Sequence, residues 1–224
     1  MLRIIPGLLK PAEVKEIVDE LERSEFVDGR SSAGRKARQV KKNLHLVQGS
    51  QKSRDLSVAI LRAIDGNADI SKIALPNRVA PILFNRYEPG MEYGFHMDMA
   101  IQQSKAGPFR TDISMTLFLS APDSYQGGEL EIDTDFGAQQ IKLAAGDALL
   151  YASSSLHRVK PVLSGTRLAA VTWFQSLVGD PARRQILYEI QSVRDWLLQN
   201  RPNSAEDNTL AKVHGNLLRL WADV

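Results

Sequence analysis

The stretch that decides the fold covers residues 87–98 and reads Tyr-Glu-Pro-Gly-Met-Glu-Tyr-Gly-Phe-His-Met-Asp. Pro89 and Gly90 favour a tight turn, and the aromatic residues on either side of that turn are typical of strands. His96 and Asp98 stand two residues apart, a spacing that places both side chains on the same face of a strand. We therefore predict one strand before the turn and a second strand that carries an imidazole and a carboxylate side by side.

Short apolar runs bounded by Gly, Pro and Asp extend on both sides of this stretch, between residues 79 and 175. They predict eight strands, at residues 79–87, 93–98, 113–120, 128–133, 139–143, 147–152, 157–162 and 166–175. Eight short strands separated by turn signals favour a sandwich or jelly roll over alternating strand–helix units.

Helical periodicity precedes and follows this strand-rich part of the chain. Pro11 opens a segment in which apolar residues recur at helical spacing, and residues 51–64 carry a second apolar stripe. Two further stripes follow Pro181. The fold class is therefore α+β, with N-terminal flanking helices over residues 1–78 and a C-terminal helical extension over residues 179–224.

Residues 28–42 interrupt the N-terminal helical pattern with glycine and serine placed among basic residues. The basic residues are Arg30, Arg35, Lys36, Arg38, Lys41 and Lys42. Two interpretations stay open for this basic segment: a solvated loop, which is the usual fate of a charge run, and a mobile lid or docking surface for an acidic partner.

The composition limits the classes of protein to consider. The chain has 224 residues, of which 43% are hydrophobic and 24% charged, as in an ordinary globular protein. A net charge of +2 gives no support to nucleic-acid binding, and no run approaches the roughly 20 apolar residues of a membrane span. The absence of cysteine excludes disulfides and thiol catalysis. We expect a cytoplasmic protein with neither nucleic-acid nor membrane partners.

His157 extends the pair of His96 and Asp98 to a candidate metal site. It stands 59 residues after Asp98, at the head of another predicted strand. Two imidazoles and one carboxylate suit non-haem iron with open coordination positions, and the same set also suits zinc with a bound water. Three hypotheses follow: an iron oxygenase, a metal-dependent hydrolase and a non-catalytic iron-binding module. The other two histidines, His45 and His214, fit packing or surface roles.

Arg167 favours the oxygenase. It follows His157 by ten residues, past the turn signal at residues 161–165, so a hairpin would bring it back beside the same pocket. A guanidinium there could hold a distal carboxylate through two parallel hydrogen bonds, a geometry that an ammonium lacks. Taken alone, the residue fits equally a rim arginine in a surface ion pair, so this alternative stays open until further motifs are considered.

Further motifs occur in order along the chain. They are Gly127-Gly128-Glu129-Leu130, Ala145-Gly146-Asp147-Ala148, His157-Arg158-Val159 with Arg167, and Trp173-Phe174-Gln175-Ser176. Together with residues 87–98 they resemble the prolyl-4-hydroxylase-like Fe(II)/2-oxoglutarate dioxygenases, and most closely the bacterial PKHD-type hydroxylases. The resemblance extends over the whole chain and implies a double-stranded β-helix (jelly-roll) dioxygenase core at residues 79–178.

The resemblance also implies roles for single residues. It assigns Fe(II) to His96, Asp98 and His157, and the distal carboxylate of the cosubstrate 2-oxoglutarate to Arg167. Around that cosubstrate it places Tyr87, Ser114 and Trp173. The reaction implied is hydroxylation of an unactivated C–H bond with release of succinate and carbon dioxide, supported by ascorbate as reductant.

The prime substrate stays open at this point. A peptidyl residue and a small molecule both fit the resemblance, and a homo-oligomer is possible. Three apolar residues near the predicted metal ligands are expected to keep water from the reacting centre: Phe95, Met97 and Phe118.

Overall fold

The computed structural model describes residues 1–104 and 107–224. In chain order the elements are β1 (Leu2–Ile5), α1 (Pro11–Glu22), β2 (Phe26–Asp28), β3 (Lys41–Lys42), β4 (Leu44–Leu46), α2 (Gln51–Asp65), α3 (Ala68–Ala74), β5 (Pro76–Val79), β6 (Leu83–Tyr87), β7 (Glu92–His96), β8 (Ile101–Ser104), β9 (Gly107–Arg110), β10 (Ile113–Phe118), β11 (Tyr125–Gly127), β12 (Leu130–Ile132), β13 (Gln139–Ile141), β14 (Ala148–Ala152), β15 (His157–Val159), β16 (Val162–Gly165), β17 (Arg167–Ser176), α4 (Pro181–Asn200) and α5 (Ala205–Trp221). Two short 3-10 turns, Gly29–Ser32 and Ala37–Gln39, lie between β2 and β3.

The main sheet contains eight antiparallel strands in the order β1-β14-β10-β17-β6-β4-β2, with β5 paired to the C-terminal end of β17. Strand alternation divides its residues between two faces. On β10, Ile113, Met115 and Leu117 belong to the core shared with the helices, whereas Ser114 and Thr116 are buried on the opposite face. That inner face carries the polar residues.

A second sheet, in the order β13-β12-β15-β7-β3, faces the inner side of the main sheet. An apolar cluster joins the two sheets: Phe118, Leu149 and Tyr151 come from the main sheet, and Leu130 and Val159 come from the second. Two facing antiparallel sheets of this kind confirm the predicted jelly-roll core.

The helices cover the outer face of the main sheet. The buried stripes of α1, α2 and α3 form one core with the outward residues of β10, β14 and β17. Helices α4 and α5 pack on each other, and α4 also contacts α3. The predicted helix over residues 51–64 is therefore confirmed, as are the C-terminal helices. None of the described helices combines the length and apolar composition that a membrane span requires.

The N-terminal segment is more than the helical flank that the sequence predicts. Strands β1, β2, β4 and β5 all belong to the main sheet, and the expected boundary between residues 78 and 79 falls inside β5. Each of these strands has only three or four residues. A run that short does not establish the alternation by which a strand is predicted.

Proline explains two strands that the prediction drew too long. The strand expected at 79–87 divides into β5 and β6 around Pro81, and the strand expected at 157–162 divides into β15 and β16 around Pro161. Proline has no N–H to donate to a strand ladder. The hairpin of β8 and β9 was not predicted, because its described residues lack a regular apolar alternation.

Candidate active site

A cavity of about 200 Å³ lies between the two sheets. Inward side chains of β6, β10 and β17 line it from the main sheet, and those of β7 and β15 line it from the second. Part of the basic segment, residues 32–41, completes the wall. The predicted metal ligands and the predicted cosubstrate residues all line this one cavity.

The structure brings together the three predicted metal ligands. His96 ends β7, Asp98 follows two residues later, and His157 begins β15 directly opposite His96 in the strand register. One donor atom from each residue lies within 4.8 Å of the other two, and His157 Nε2 is 3.9 Å from Asp98 Oδ2. Two imidazole nitrogens and a carboxylate oxygen therefore converge on one point.

Both imidazoles are oriented by backbone carbonyls. His96 Nδ1 donates to the carbonyl oxygen of Gly94 at 2.9 Å, and His157 Nδ1 donates to that of Ser155 at 3.0 Å. A carbonyl only accepts, so Nδ1 of each ring carries a proton and Nε2 is the nitrogen that faces the metal site. Burial, followed by the nearby His157, lowers the pKa of His96 to about 4. The ring is therefore neutral at physiological pH, as a metal ligand must be.

Asp98 is oriented from the main sheet. The Ser114 hydroxyl donates to Asp98 Oδ2 at 2.5 Å and lies 2.8 Å from the Ser153 hydroxyl. Ser114 is buried, so this contact fixes which oxygen Asp98 presents to a metal. The resemblance places Ser114 next to the cosubstrate, and that role stays a prediction beside the observed contact with Asp98.

Arg167 is a buried cation that has no anion beside it among the described residues. Its exposed fraction is 2%, and among the described residues no carboxylate lies within ion-pair distance of it. Its Nε and Nη2 atoms are buried without a hydrogen-bond partner in the same part of the chain. The guanidinium carbon lies 5.2 Å from the ring centroid of Tyr87 and 5.5 Å from that of Phe118. An unpaired buried charge is costly, so a carboxylate ligand would satisfy donors that the fold leaves open.

Gly128 makes room for this arginine. Its φ is +66°, and a Cβ added there would lie 3.1 Å from Arg167 Cδ and 3.0 Å from the Tyr125 ring. The Gly127-Gly128 motif therefore serves the pocket as well as the turn.

The remaining two cosubstrate residues line the same cavity. Tyr87 pairs with Arg167 across β6 and β17 and is buried. Burial raises the pKa of Tyr87 to about 12 although Arg167 opposes the effect, so its hydroxyl keeps its proton and can donate it in a hydrogen bond. Trp173 is half-buried, and its indole N–H has no partner among the described residues. Contact of either residue with 2-oxoglutarate stays a prediction.

Two residues expected to exclude water do not do so. Phe95 and Met97 are 44% and 61% exposed, whereas Phe118 is buried against Arg167. Phe95 lies under the Arg158 guanidinium, 4.5 Å from its carbon. The expectation was wrong for Phe95 because its ring packs on Arg158 and does not line the cavity. It was wrong for Met97 because that side chain lines the cavity but stays more than half exposed.

Two tyrosines that the sequence analysis did not assign shield the histidines. The Tyr93 ring stacks on His96 with centroids 3.5 Å apart, and Tyr151 lies edge-on to His157 at 5.1 Å. Burial raises the pKa of both hydroxyls. The alternation of Leu149 and Tyr151 on β14 would have placed Tyr151 on the inner face. The stacking of Tyr93 depends on an irregular register between β7 and β15, which no local pattern reveals.

The other two histidines lie outside the metal cluster. His45 is buried on β4 with its Nε2 atom 3.1 Å from the Ser31 hydroxyl, and His214 is half-buried on α5. The packing roles expected for them agree with these positions.

The donor set fits Fe(II), and the pocket fits 2-oxoglutarate. Two imidazoles and one carboxylate would leave coordination positions of such a metal open to other ligands. Nε and Nη2 of Arg167, which have no hydrogen-bond partner among the described residues, supply on the same cavity the donors that a distal carboxylate requires. His96, Asp98 and His157 would therefore hold the metal, and Arg167 would hold the cosubstrate.

Comparison with known proteins agrees with this chemistry. Residues 82–175 match the 2OG-Fe(II) oxygenase superfamily. A PKHD-type hydroxylase of Synechococcus sp. is 43% identical over 224 residues, which is 100% of both chains. Among solved structures, a Pseudomonas putida prolyl-4-hydroxylase has a TM-score of 0.54 and 19% identity, covering 78% of this chain and 92% of its own. A Trichoplax adhaerens prolyl hydroxylase, solved with a hypoxia inducible factor peptide fragment, has a TM-score of 0.55 and 15% identity, covering 83% and 86%.

The two solved structures establish the fold, and the full-length relative establishes the family. The three metal ligands and Arg167 occupy one cavity in the geometry that this family's chemistry requires. This chain belongs to the PKHD-type hydroxylases, which are Fe(II)- and 2-oxoglutarate-dependent dioxygenases.

Proposed function

We propose that this enzyme hydroxylates an unactivated C–H bond of a peptidyl residue, with 2-oxoglutarate as cosubstrate and succinate and carbon dioxide as by-products. The observation that carries the proposal is a pair of features on one cavity: the cluster of His96, Asp98 and His157, and the buried Arg167, beside which residues 1–104 and 107–224 place no anion.

The chain contributes binding, orientation and exclusion of water. Bound Fe(II) with 2-oxoglutarate and oxygen supplies the oxidising chemistry. The carbonyl contacts of the two histidines and the Ser114 contact of Asp98 fix the ligand atoms before the metal arrives. The rings of Tyr93 and Tyr151 cover the histidines, so water reaches the ligands from few directions. Nothing in this chemistry requires a protein side chain to accept a proton from the substrate.

A metal-dependent hydrolase is not favoured. A hydrolase needs the metal-bound water and a group that handles its proton, and it gives Arg167 no role. A non-catalytic binding module likewise has no use for a desolvated guanidinium in the metal cavity.

A peptide as prime substrate is supported by exposed apolar side chains on the cavity. Met97 and Met99 line the cavity and are also exposed to solvent. Methionine adapts to varied apolar partners, so these side chains suit the flanking residues of a chain inserted into the site. The Trichoplax adhaerens structure contains a peptide, which makes a peptide the first substrate class to test.

We also propose ascorbate as a reductant and a cytoplasmic location. The first rests on the family resemblance, and the second rests on the absence of cysteine from the chain. Omitting ascorbate should shorten the time over which succinate release stays linear, and addition of the reductant should restore it.

The decisive experiment starts under anaerobic conditions. Adding 2-oxoglutarate to the Fe(II)-loaded protein should produce a weak visible charge-transfer band, and admitting oxygen should release succinate. Arg167→Ala should lose the band at ordinary 2-oxoglutarate concentrations while it still binds iron. Arg62→Ala, at an exposed position on α2, is the matched control and should behave as the native chain. Absence of both the band and succinate from the native chain would reject the proposed function.

A further inference from the structure

Lys41 is a second buried cation on the active-site cavity. It lies on β3 directly opposite Tyr93 of β7, and its exposed fraction is 6%. Its ammonium donates to the Ser32 hydroxyl at 2.8 Å and lies 4.8 Å from the Tyr93 ring centroid. Lys41, the metal ligands and Arg167 line the same cavity.

The ammonium has hydrogen-bonding capacity that the fold does not use. A lysine ammonium carries three donors. Within residues 1–104 and 107–224 the Lys41 ammonium makes one hydrogen bond, to Ser32. In the same ranges no carboxylate lies within 4 Å of its nitrogen. The charge of Asp98 acts on Lys41 from farther away, but Asp98 is held by Ser114 and assigned to the metal. Burial lowers the pKa of Lys41 to about 8, as expected of a desolvated cation with incomplete pairing.

The two buried cations occupy different walls of the cavity. Arg167 belongs to the main sheet through β17, whereas Lys41 belongs to the second sheet through β3. The next residue, Lys42, is exposed, so the burial of Lys41 is a property of that position and not of the basic segment as a whole. A 2-oxoglutarate molecule whose distal carboxylate binds Arg167 and whose other end reaches the metal has no carboxylate left for Lys41.

We propose that Lys41 binds a carboxylate of the prime substrate and so selects substrates with an acidic group close to the hydroxylated carbon. The inference rests on the proposed function, because it presupposes turnover at this metal site. The free donors of the ammonium match the lone pairs of a carboxylate. The acidic group belongs either to an Asp or Glu side chain of a peptide or to the α-carboxylate of a free amino acid, which are two sources of one chemistry.

The test compares matched probes that differ only in charge. One pair consists of two pentapeptide pools, both acetylated at the N-terminus and amidated at the C-terminus, with mixed flanking residues. One pool has Glu at the central position and the other has Gln. The second pair consists of the N-acetyl amino acids as free carboxylates or as carboxamides. Succinate release above the rate without prime substrate is measured for the native enzyme, Lys41→Met, Lys41→Gln and the control Lys42→Met. Binding of the probes is measured separately, under a nitrogen atmosphere, on enzyme loaded with cobalt(II) in place of iron. The paramagnetic ion increases the NMR relaxation rate of protons in a probe that binds near it.

We expect the native enzyme and Lys42→Met to prefer the carboxylate member of at least one pair by about 10- to 100-fold. Both Lys41 variants should lose that preference in turnover and in relaxation. A preference confined to the peptide pair assigns the carboxylate to a side chain, and one confined to the second pair assigns it to a free amino acid. Far-ultraviolet circular dichroism establishes that each variant is folded. Because Lys41→Met and Lys41→Gln differ in polarity, the comparison can still be made if one of them does not fold.

Three results would overturn the proposal. The first is a native enzyme that turns over 2-oxoglutarate but whose succinate release is raised equally by both members of each pair, or by none of the probes. The second is a Lys41 variant that keeps the preference. The third is weaker 2-oxoglutarate binding by Lys41→Met in the absence of a prime substrate, which would assign the ammonium to the cosubstrate. Failure of the proposed iron and 2-oxoglutarate chemistry is distinguishable from all three, because the native enzyme would then release no succinate under any condition. A preference confined to the amino-acid pair would instead overturn only the peptidyl part of the proposed function.

Discussion

Replacing Lys41 by methionine should stabilise the metal-free protein at neutral pH. Methionine fills a similar volume without a charge, so the substitution removes the cost of burying an ammonium that has one hydrogen bond and no ion pair among the described residues. A residue kept at such a cost is expected where it serves a ligand. Stability and substrate binding should therefore change in opposite directions in this variant.

The magnitude follows from the pKa of Lys41. Burial lowers it from the ordinary 10.5 to about 8, and at about 1.4 kcal/mol per pH unit this amounts to roughly 3 kcal/mol. Loss of the hydrogen bond to Ser32 offsets about 1 kcal/mol, which leaves about 2 kcal/mol in favour of the variant at pH 7.

The direction of the Lys41 pKa shift determines the pH range in which burial of the ammonium lowers stability. A base with a lowered pKa destabilises the fold while it is protonated, so the cost is complete below pH 8 and disappears as the pH rises to 10.5. The neighbouring His45 and His96 are already neutral in that window because their pKa values are lowered. Tyr93 stays protonated over most of it because its pKa is raised above 10. Asp98 is the remaining charged neighbour.

Urea unfolding of the metal-free proteins at pH 7 and pH 10 measures the effect. The free energy of unfolding of Lys41→Met should exceed that of the native chain by about 2 kcal/mol at pH 7, and most of that difference should be gone at pH 10. Lys42→Met, at the exposed neighbouring position, should stay within about 0.5 kcal/mol of the native chain at both values. A less stable Lys41→Met, with the same difference at both pH values, would refute the reasoning and remove support for an anion site at Lys41.

Three further substitutions test the cosubstrate and metal sites. Arg167→Lys keeps the charge but loses the planar fork of the guanidinium. The Kd for 2-oxoglutarate in an anaerobic titration should therefore rise about 10- to 100-fold while iron binding is unchanged, and an unchanged Kd would contradict the role of the guanidinium. Ser114→Ala should weaken metal binding about 10- to 100-fold in chelator competition; a rise in the Kd for 2-oxoglutarate at saturating metal would instead place Ser114 on the cosubstrate. Gly128→Ala adds a Cβ 3.1 Å from Arg167 Cδ at a residue with positive φ. This crowding and strain should lower the free energy of unfolding by about 1–3 kcal/mol. A urea midpoint equal to that of the native chain would show that the surrounding side chains move to accept the methyl group.

The hairpin expected to return the chain from His157 to Arg167 was wrong, because β16 pairs with β11 and β17 lies in the main sheet. Arg167 therefore reaches the cavity from the sheet opposite His157, which only the full topology shows. The pair of His96 and Asp98 was predictable because its geometry is local, a two-residue spacing at the end of β7. The jelly roll was predictable for the same reason, since its long inner strands carry clear alternation, whereas the strands of three or four residues near the N-terminus do not.

The residues that orient the three metal ligands were not predictable, because their contacts depend on strand register. Ser114 and Thr116 both face inward on β10, and only the tertiary structure shows which hydroxyl meets Asp98. Lys41 and Lys42 are adjacent in one charge run, yet one is buried and the other exposed. The pairing of Lys41 with Tyr93 decides this difference, and a charge run in the sequence carries no information about it.

The two buried cations indicate where specificity can change in this enzyme. Arg167 is fixed by the main sheet, by the rings of Tyr87 and Phe118 and by the space that Gly128 leaves, so an alteration there affects the cosubstrate that every turnover needs. Lys41 is instead fixed by a two-residue strand and by Ser32 in a 3-10 turn of the basic segment. If Lys41 binds the prime substrate as proposed, a substitution at Lys41 should alter what the cavity accepts, while Arg167 and the three metal ligands, which other strands hold, stay in place.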